Sequence, residues 1–276
     1  MKLNKDNLLR LLAGAVALAL IGGILFVTTS FVGNPLTAFL ATRAVRQYVG
    51  EKYPALDLTV GKATYNFKTG SYMARARSGT SPDTHFAVYY RRGRVERDDY
   101  ENYVLGLHNT LQRLSDEYSE LAAGIIASEL GYEDNTVRVM YDKEVYDNGN
   151  GAEALTLDME FDRRLPLPAE VTIGLAAVDD TLEGIARVLM DAHRAFVNNG
   201  CVFVRYGLYA ENDGALVMVH GVTPADIESG ELVSRLEQAE QDRDDPAVKG
   251  QETKDSEPPD EAPAERISVF RKRAQE

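Results

Sequence analysis

The chain reads as an α+β protein. An N-terminal transmembrane helix is followed by two small units of helices packed on antiparallel sheets, and by a disordered, charged C-terminal tail. Three observations carry that reading. A charge-free apolar run opens the chain. Behind it, segments with apolar residues three and four apart alternate with segments in which apolar and polar residues take turns, the periods of amphipathic helices and half-buried strands. The last stretch is rich in proline and charge, with too few apolar groups to offset the entropy of ordering. The boundaries fall at 1–34 for a cytoplasmic N-terminus and anchor, 35–132 and 133–242 for the two units, and 243–276 for the tail.

From Leu11 to Val32 there are 22 residues without a charge. At about 1.5 Å rise per residue they cover about 33 Å, enough for a hydrocarbon core of roughly 30 Å. Lys2, Lys5 and Arg10 precede the run, opposed only by Asp6, and the first charges after it are Arg43 and Arg46. The positive-inside rule therefore places the N-terminus in the cytoplasm and the rest of the chain outside, on a cell membrane crossed once. A cleavable signal peptide has a shorter apolar region and an A-x-A-like exit, whereas this run leaves through Thr28-Thr29-Ser30-Phe31. Ala15, Ala19 and Gly23 form a small-residue stripe, read here as an Ala/Gly-rich span. The single cysteine, Cys201, lies far from the run and makes no internal disulfide; it reads as an inert core residue.

The first unit opens with a helix from Pro35 to about Tyr53, where Leu36, Leu40, Ala44 and Tyr48 recur every four residues and Pro54 stops it. Leu58 and Val60, then Ala63, Tyr65 and Phe67, alternate as a strand with a register break near Gly61. Strands over Tyr72–Arg77 and His85–Arg91 follow, the second with Phe86, Val88 and Tyr90 on one face, and Arg92-Gly93 marks a tight turn. A long helix is expected from Asp98, capped with the help of Glu101. Its seam of Tyr100, Val104, Leu107, Leu111, Leu114, Tyr118, Leu121 and Ile125 is expected to lie across the three-stranded sheet, with a coiled coil as the other reading, and Gly131 to stop it.

In the second unit Val137 and Val139 suggest one strand, Leu155, Leu157, Met159 and Phe161 another, and Glu170–Val178 a third. Asp180 and Glu183 read as a capping box before a helix through Leu182, Ile185, Leu189, Ala192 and Phe196. Val202–Tyr209 and Ala215–His220 read as a hairpin joined at Asn212-Asp213-Gly214, and Thr223-Pro224 starts a final helix. Ile267, Val269, Phe270 and Arg271-Lys272-Arg273 read as a solvated end, with a short docking element as the other reading.

The net charge of −13 argues against a nucleic-acid binder. Its distribution says more. Residues 35–97 hold eleven basic and four acidic side chains, against the strongly acidic remainder. Arg75, Arg77, Arg91, Arg92 and Arg94 are the candidate interaction face within that basic stretch. Such a face would meet anionic lipid or cell-wall polymer, an acidic surface of this or a neighbouring chain, or only solvent.

No local pattern supplies chemistry. His85, His108, His193 and His220 form no H-E-x-x-H arrangement, there is no G-x-S-x-G elbow, and Asn148-Gly149-Asn150-Gly151 lacks the lysine and helix of a phosphate loop. His85 is the best single candidate because a polar loop meets a strand there. Asp98-Asp99 is a nominal carboxylate pair, and Asp158, Glu160 and Asp162 read as an exposed strand face rather than a calcium loop. No catalytic residue, metal or cofactor is expected, and the chain is not expected to be an enzyme.

Several motifs resemble those of the YfjL-like proteins of Gram-positive bacteria: Gly33-Asn34-Pro35, Glu51-Lys52-Tyr53-Pro54, Tyr65-Asn66-Phe67-Lys68, Gly70-Ser71-Tyr72, Asp83-Thr84-His85-Phe86 and Asp98-Asp99-Tyr100. The resemblance covers roughly the first 130 residues, and the second unit follows that family's C-terminal part in general pattern. The opening helix and strands are also similar to PepSY-type modules, which implies extracytoplasmic binding or inhibitory roles. Neither resemblance supplies catalytic residues. The expectation is a membrane-anchored, non-catalytic protein-binding module, with an envelope protein or a second copy as partner and the bilayer engaged through residues 11–32. The alternatives are an inhibitor or sensor of an envelope peptidase, and a hydrolase assembled around His85.

Overall fold

The computed structural model describes residues 5–141, 154–176, 178–212, 215–244 and 266–272. It divides into two compact units, Met1–Asn109 and Thr110–Glu276. The chain begins with helix α1, Lys5–Val32. Its large apolar side chains from Leu9 to Ile24, with Phe31 and Val32, are 53–73% exposed, so none of them joins a core. The unbroken apolar stretch with described side chains, Leu11–Ile24, is 14 residues. Among the described residues no helix is long and apolar enough to cross a membrane, so the fold does not by itself establish the expected anchor.

Helix α2, Pro35–Lys52, starts where the sequence places it. Asn34 accepts from the Leu36 and Thr37 amides, Pro35 occupies the tolerated first position, and Tyr53 caps the end before Pro54. Its buried stripe of Ala41, Thr42, Val45 and Val49 lies on an antiparallel sheet. That sheet comprises β1 (Leu58–Val60), β2 (Thr64–Asn66), β3 (Ser71–Ser78), β4 (His85–Arg91) and β5 (Arg94–Asp98), in the order β1-β3-β4-β5 with β2 also paired to β3. Tyr72, Ala74, Ala76, Phe86, Val88 and Tyr90 alternate inward as the strand period requires. The corner at Gly33 is packed closely. Its φ is +80°, and a Cβ there would come within 2.5 Å of Tyr65, while Tyr72 Oη accepts from the Asn34 amide and donates to the Asn34 carbonyl.

The expected long helix from Asp98 is not continuous. Residues to Asp98 form β5, Glu101–Leu105 make one π-helical turn, and Leu107, at φ 56°, breaks the chain before α3, His108–Leu130. The seam of helix α3, expected on the first sheet, is built into the second unit instead. Tyr118 packs on Tyr141, Phe161 and Phe203, and its hydroxyl accepts from the Val202 amide, which places the seam in the second core.

The second sheet is mixed rather than wholly antiparallel. It runs β10-β9-β8-β7-β6, with β6 Asn135–Tyr141, β7 Ala169–Ala176, β8 Arg205–Asn212, β9 Ala215–Val222 and β10 Ser268–Lys272. β7 and β8 are parallel because helix α4, Leu182–Asn198, crosses between them; the other pairs are antiparallel. Thr181, not Asp180, caps α4, accepting from the Gly184 amide. One buried row, Val137, Ile173, Leu208, Val219 and Val269, crosses all five strands in register. Helices α5 (Pro224–Glu228), opened by a Thr223–Asp226 capping box, and α6 (Leu232–Asp244) follow the sheet.

Two further expectations change. Leu155–Phe161 forms turns rather than a strand, with Asp158 at φ 60°. The end of the tail is neither disordered nor solvated over Ser268–Lys272: β10 pairs with β9, and Val269 is 1% exposed. The Asn148–Gly151 loop, the Asp213-Gly214 turn and residues 245–265 of the tail lie outside the described residues.

Candidate functional site

Strand alternation decides which arginines share a surface. With Tyr72, Ala74 and Ala76 turned to α2, the outward residues of β3 are Met73, Arg75 and Arg77; those of β4 are His85, Ala87, Tyr89 and Arg91. Register pairs Arg77 with His85, Arg75 with Ala87, and Arg91 with Arg94. Arg75, Arg77, Arg91 and Arg94 therefore lie on one face. Arg92 does not: it occupies the two-residue turn with Gly93, both at positive φ (50° and 84°), as a tight hairpin requires.

The structure adds a fifth arginine. In a regular strand Arg94 and Arg97, three apart, would point to opposite faces. A bulge at Glu96 lets Tyr90 pair with Val95 and Tyr89 with Arg97, so both arginines face outward. Arg97 lies 3.8 Å from the centroid of the Tyr89 ring, and Asp99 accepts from both Arg97 and Tyr89. The sequence signal was the pair Arg94 and Arg97 on either side of Val95-Glu96; the bulge itself has no local signature there.

Electrostatics sets the other four apart. Arg97 is matched by Asp99, whereas no described hydrogen bond or ion pair engages the guanidinium groups of Arg75, Arg77, Arg91 or Arg94. His85 registers that field. Its pKa is lowered first by burial, then by the Arg77 charge, with Arg75 adding and Asp83 opposing. No described hydrogen bond reaches the His85 ring. The neighbouring Asp83 and Thr84 are buried, and the Asn109 amide donates to the Asp83 and His85 carbonyls, anchoring the loop.

On the opposite side of the sheet, Asp98 ends β5 facing α2. Tyr48, Lys52 and Tyr53 all donate to its Oδ2, at 2.5, 2.8 and 3.0 Å, and the Tyr100 amide to its Oδ1 at 3.0 Å. Burial alone would raise the Asp98 pKa, but these donors, Lys52 foremost, bring it below the ordinary value. Tyr53 is pushed up to about 12, mainly by burial. A carboxylate engaged by four donors is a clasp rather than a base. Asp98 and Asp99 thus point to opposite sides of the sheet and form no carboxylate pair.

Two of the remaining histidines are tethered. His108 Nδ1 meets the Asn102 carbonyl, and His193 lies between Tyr206 and Glu228, whereas His220 is exposed on β9. Cys201 is buried, and burial raises its pKa. Among the described residues no group of His, Cys, Asp and Glu is placed to hold a metal. One cleft of about 350 Å³ lies in the second unit, lined by Glu129, Tyr132, Arg187, Asp191, Arg194 and Asn198 among others.

Fold and site together define an α+β protein of two compact units, the first of which carries a sheet face where four arginines have no partner among the described residues. The chain belongs to the YfjL-like family: residues 8–99 match its N-terminal domain and residues 117–237 its C-terminal domain. The likeness therefore continues through the second unit, beyond the stretch where the motifs are densest. Neither match bears on the PepSY-type similarity. Comparison with curated proteins and with solved structures gives no match.

Proposed function

We propose that the chain is a single-pass, membrane-anchored extracytoplasmic protein acting as a non-catalytic interaction module, and that the outward face of its first sheet docks a protein partner with an acidic surface. The observation that carries the reading is the set of four arginines, Arg75, Arg77, Arg91 and Arg94, held in register on one face with no described carboxylate partner. Guanidinium groups preorganised by a sheet suit bidentate recognition of carboxylates and lose little freedom on binding. Anchoring is supported by the 22 uncharged residues of Leu11–Val32, by the basic flank before them, and by the exposed apolar side chains of α1, more apolar surface than a water-soluble monomer ordinarily leaves open.

The test uses the full-length protein in its own membrane, cross-linked and affinity-captured, as wild type and as the Arg75→Glu, Arg77→Glu double variant. Both positions are exposed, so the variant keeps its fold, which thermal unfolding checks. The expected outcome is one discrete partner recovered with wild type and reduced at least about tenfold by the variant, as two lost charge pairs imply. Equal recovery by both proteins would remove the basic face from the function.

A further inference from the structure

Helix α2 is apolar on two faces, and only one of them is used by the core. Ala41, Val45 and Val49 pack on the first sheet. On the other side, at helical spacing, stand Leu36, Phe39 and Leu40, which are 66, 64 and 47% exposed. The next residue on that stripe is Arg43, and beyond it the exposed face is polar, with Arg46, Gln47 and Glu51. The outer stripe is thus apolar only in the two turns that follow the end of α1.

A second element supplies the rest of the patch. Phe67, just after β2, is 57% exposed, and its ring lies 6.1 Å from that of Phe31, the penultimate residue of α1. The contact is held in place rather than incidental. Gly33 is packed against Tyr65, Tyr65 against Tyr72 at 5.0 Å between ring centroids, and Tyr72 is bonded to both backbone groups of Asn34. The turn between the two helices and the β2–β3 hairpin therefore form one corner. The charged residues that follow the apolar ones, Arg43 on α2 and Lys68 beside Phe67, are both cationic.

We infer that this corner is a membrane-seating surface: Leu36, Phe39, Leu40 and Phe67 enter the headgroup–acyl boundary of the bilayer, while Arg43 and Lys68 meet lipid phosphates. The inference rests on the anchored reading of α1 and adds to it that the first unit lies down on the membrane instead of hanging from it. Three features select lipid as the occupant. The patch is continuous with the exposed apolar surface at the end of α1 through Phe31. Leucine and phenylalanine backed by cations are the composition of interfacial helices. Lysine and arginine at such a border keep their charges at the phosphate level. Seating by this edge also fixes the orientation of the sheet whose outward face carries the arginines.

The full-length protein is reconstituted in vesicles of phosphatidylcholine and phosphatidylglycerol, with an environment-sensitive fluorophore on one introduced cysteine at Gly14, Phe39, Phe67 or Thr80. Native Cys201 is buried and stays unlabelled. Thr80 lies in the bend beyond β3, whose last residue, Ser78, is about 20 Å along the strand from Tyr72 at roughly 3.3 Å per residue. Lipids carrying a quencher at a shallow or a deep position along the acyl chain then report depth. The expected result is deep quenching at position 14, shallow quenching at 39 and 67, and none at 80. Deep quenching at 14 with none at 39 and 67 would overturn the inference and leave the anchor standing. No quenching at 14 would overturn the anchored reading, and the seating with it. Cross-links between copies at 39 and 67, with neither position quenched, would give the patch to a second copy and refute the lipid assignment.

Discussion

The carboxylate of Asp98 joins the end of β5 to the last turn of α2 through Tyr48, Lys52 and Tyr53, residues 45–50 positions apart in sequence. Its side chain is 6% exposed while that of Lys52 is 49% exposed, so the hydrogen bonds carry more of the clasp than the screened charge pair does. Asp98→Asn, which cannot accept from three donors at one oxygen, is expected to destabilise the fold by about 2 kcal/mol at neutral pH. Because the folded-state pKa is lowered, the contribution is complete above about pH 4, the unfolded value, and is lost as pH falls through the lower folded value. Denaturant unfolding of wild type and variant should therefore converge in acid; a gap that persists there would remove the carboxylate as its cause. Gly33→Ala adds a methyl 2.5 Å from Tyr65 at a φ of +80°, and is expected to lower stability by about 2 kcal/mol or more, read as a fall in thermal midpoint. At this scale the sequence was partly legible. The motifs shared with the family converge on such joints, Gly33 and Asn34 with Tyr65 and Tyr72, and Lys52 and Tyr53 with Asp98. Their spacing gave no hint that they serve as joints, because each partner lies tens of residues away.

Elements with a strong local period were placed well: α2, β3 and β4 stand within a residue or two of where apolar spacing puts them. The failures have physical causes. The seam from Tyr100 to Ile125 keeps helical spacing through Gly106-Leu107, but Leu107 adopts a positive φ, and Tyr100 and Val104 before the break belong to the π-helical turn after β5 and pack in the first core. Spacing alone also could not say which sheet the seam covers; aromatic packing around Tyr118 decides that for the second. The order strand, helix, strand across β7, α4 and β8 does signal a parallel pair, a cue outweighed by the hairpin that follows. Strand β10 was hidden by composition, since five residues inside a charged tail cannot offset their ordering alone and do so only on a preformed edge. That dependence gives a test. Val269→Asp puts a charge at the end of the buried row, beside the point where Gly221, whose Cβ would meet the Arg266 carbonyl at 2.8 Å, leaves room for the incoming chain. The variant is expected to release β10 and speed hydrogen exchange in β9 at least tenfold while β7 keeps its protection. Unchanged exchange in β9 would mean that the strand contributes little to the sheet.

At the scale of the whole molecule, charge and apolarity are separated along the chain. Among the described residues the first 67 carry most of the exposed large apolar side chains; the positive excess lies within the first 97 residues and the acidic excess behind them. This arrangement supports the proposed anchoring by the N-terminal end, with the cationic face on the unit that follows the apolar run in sequence. Sidedness tests that account most directly. Single cysteines placed at Asn4, before the apolar run, and at Ser128, exposed on α3, are treated with a membrane-impermeant maleimide on intact cells and again after lysis. The account predicts that Ser128→Cys labels on intact cells and Asn4→Cys only after lysis; labelling of both positions, or of Asn4→Cys alone, on intact cells would contradict it.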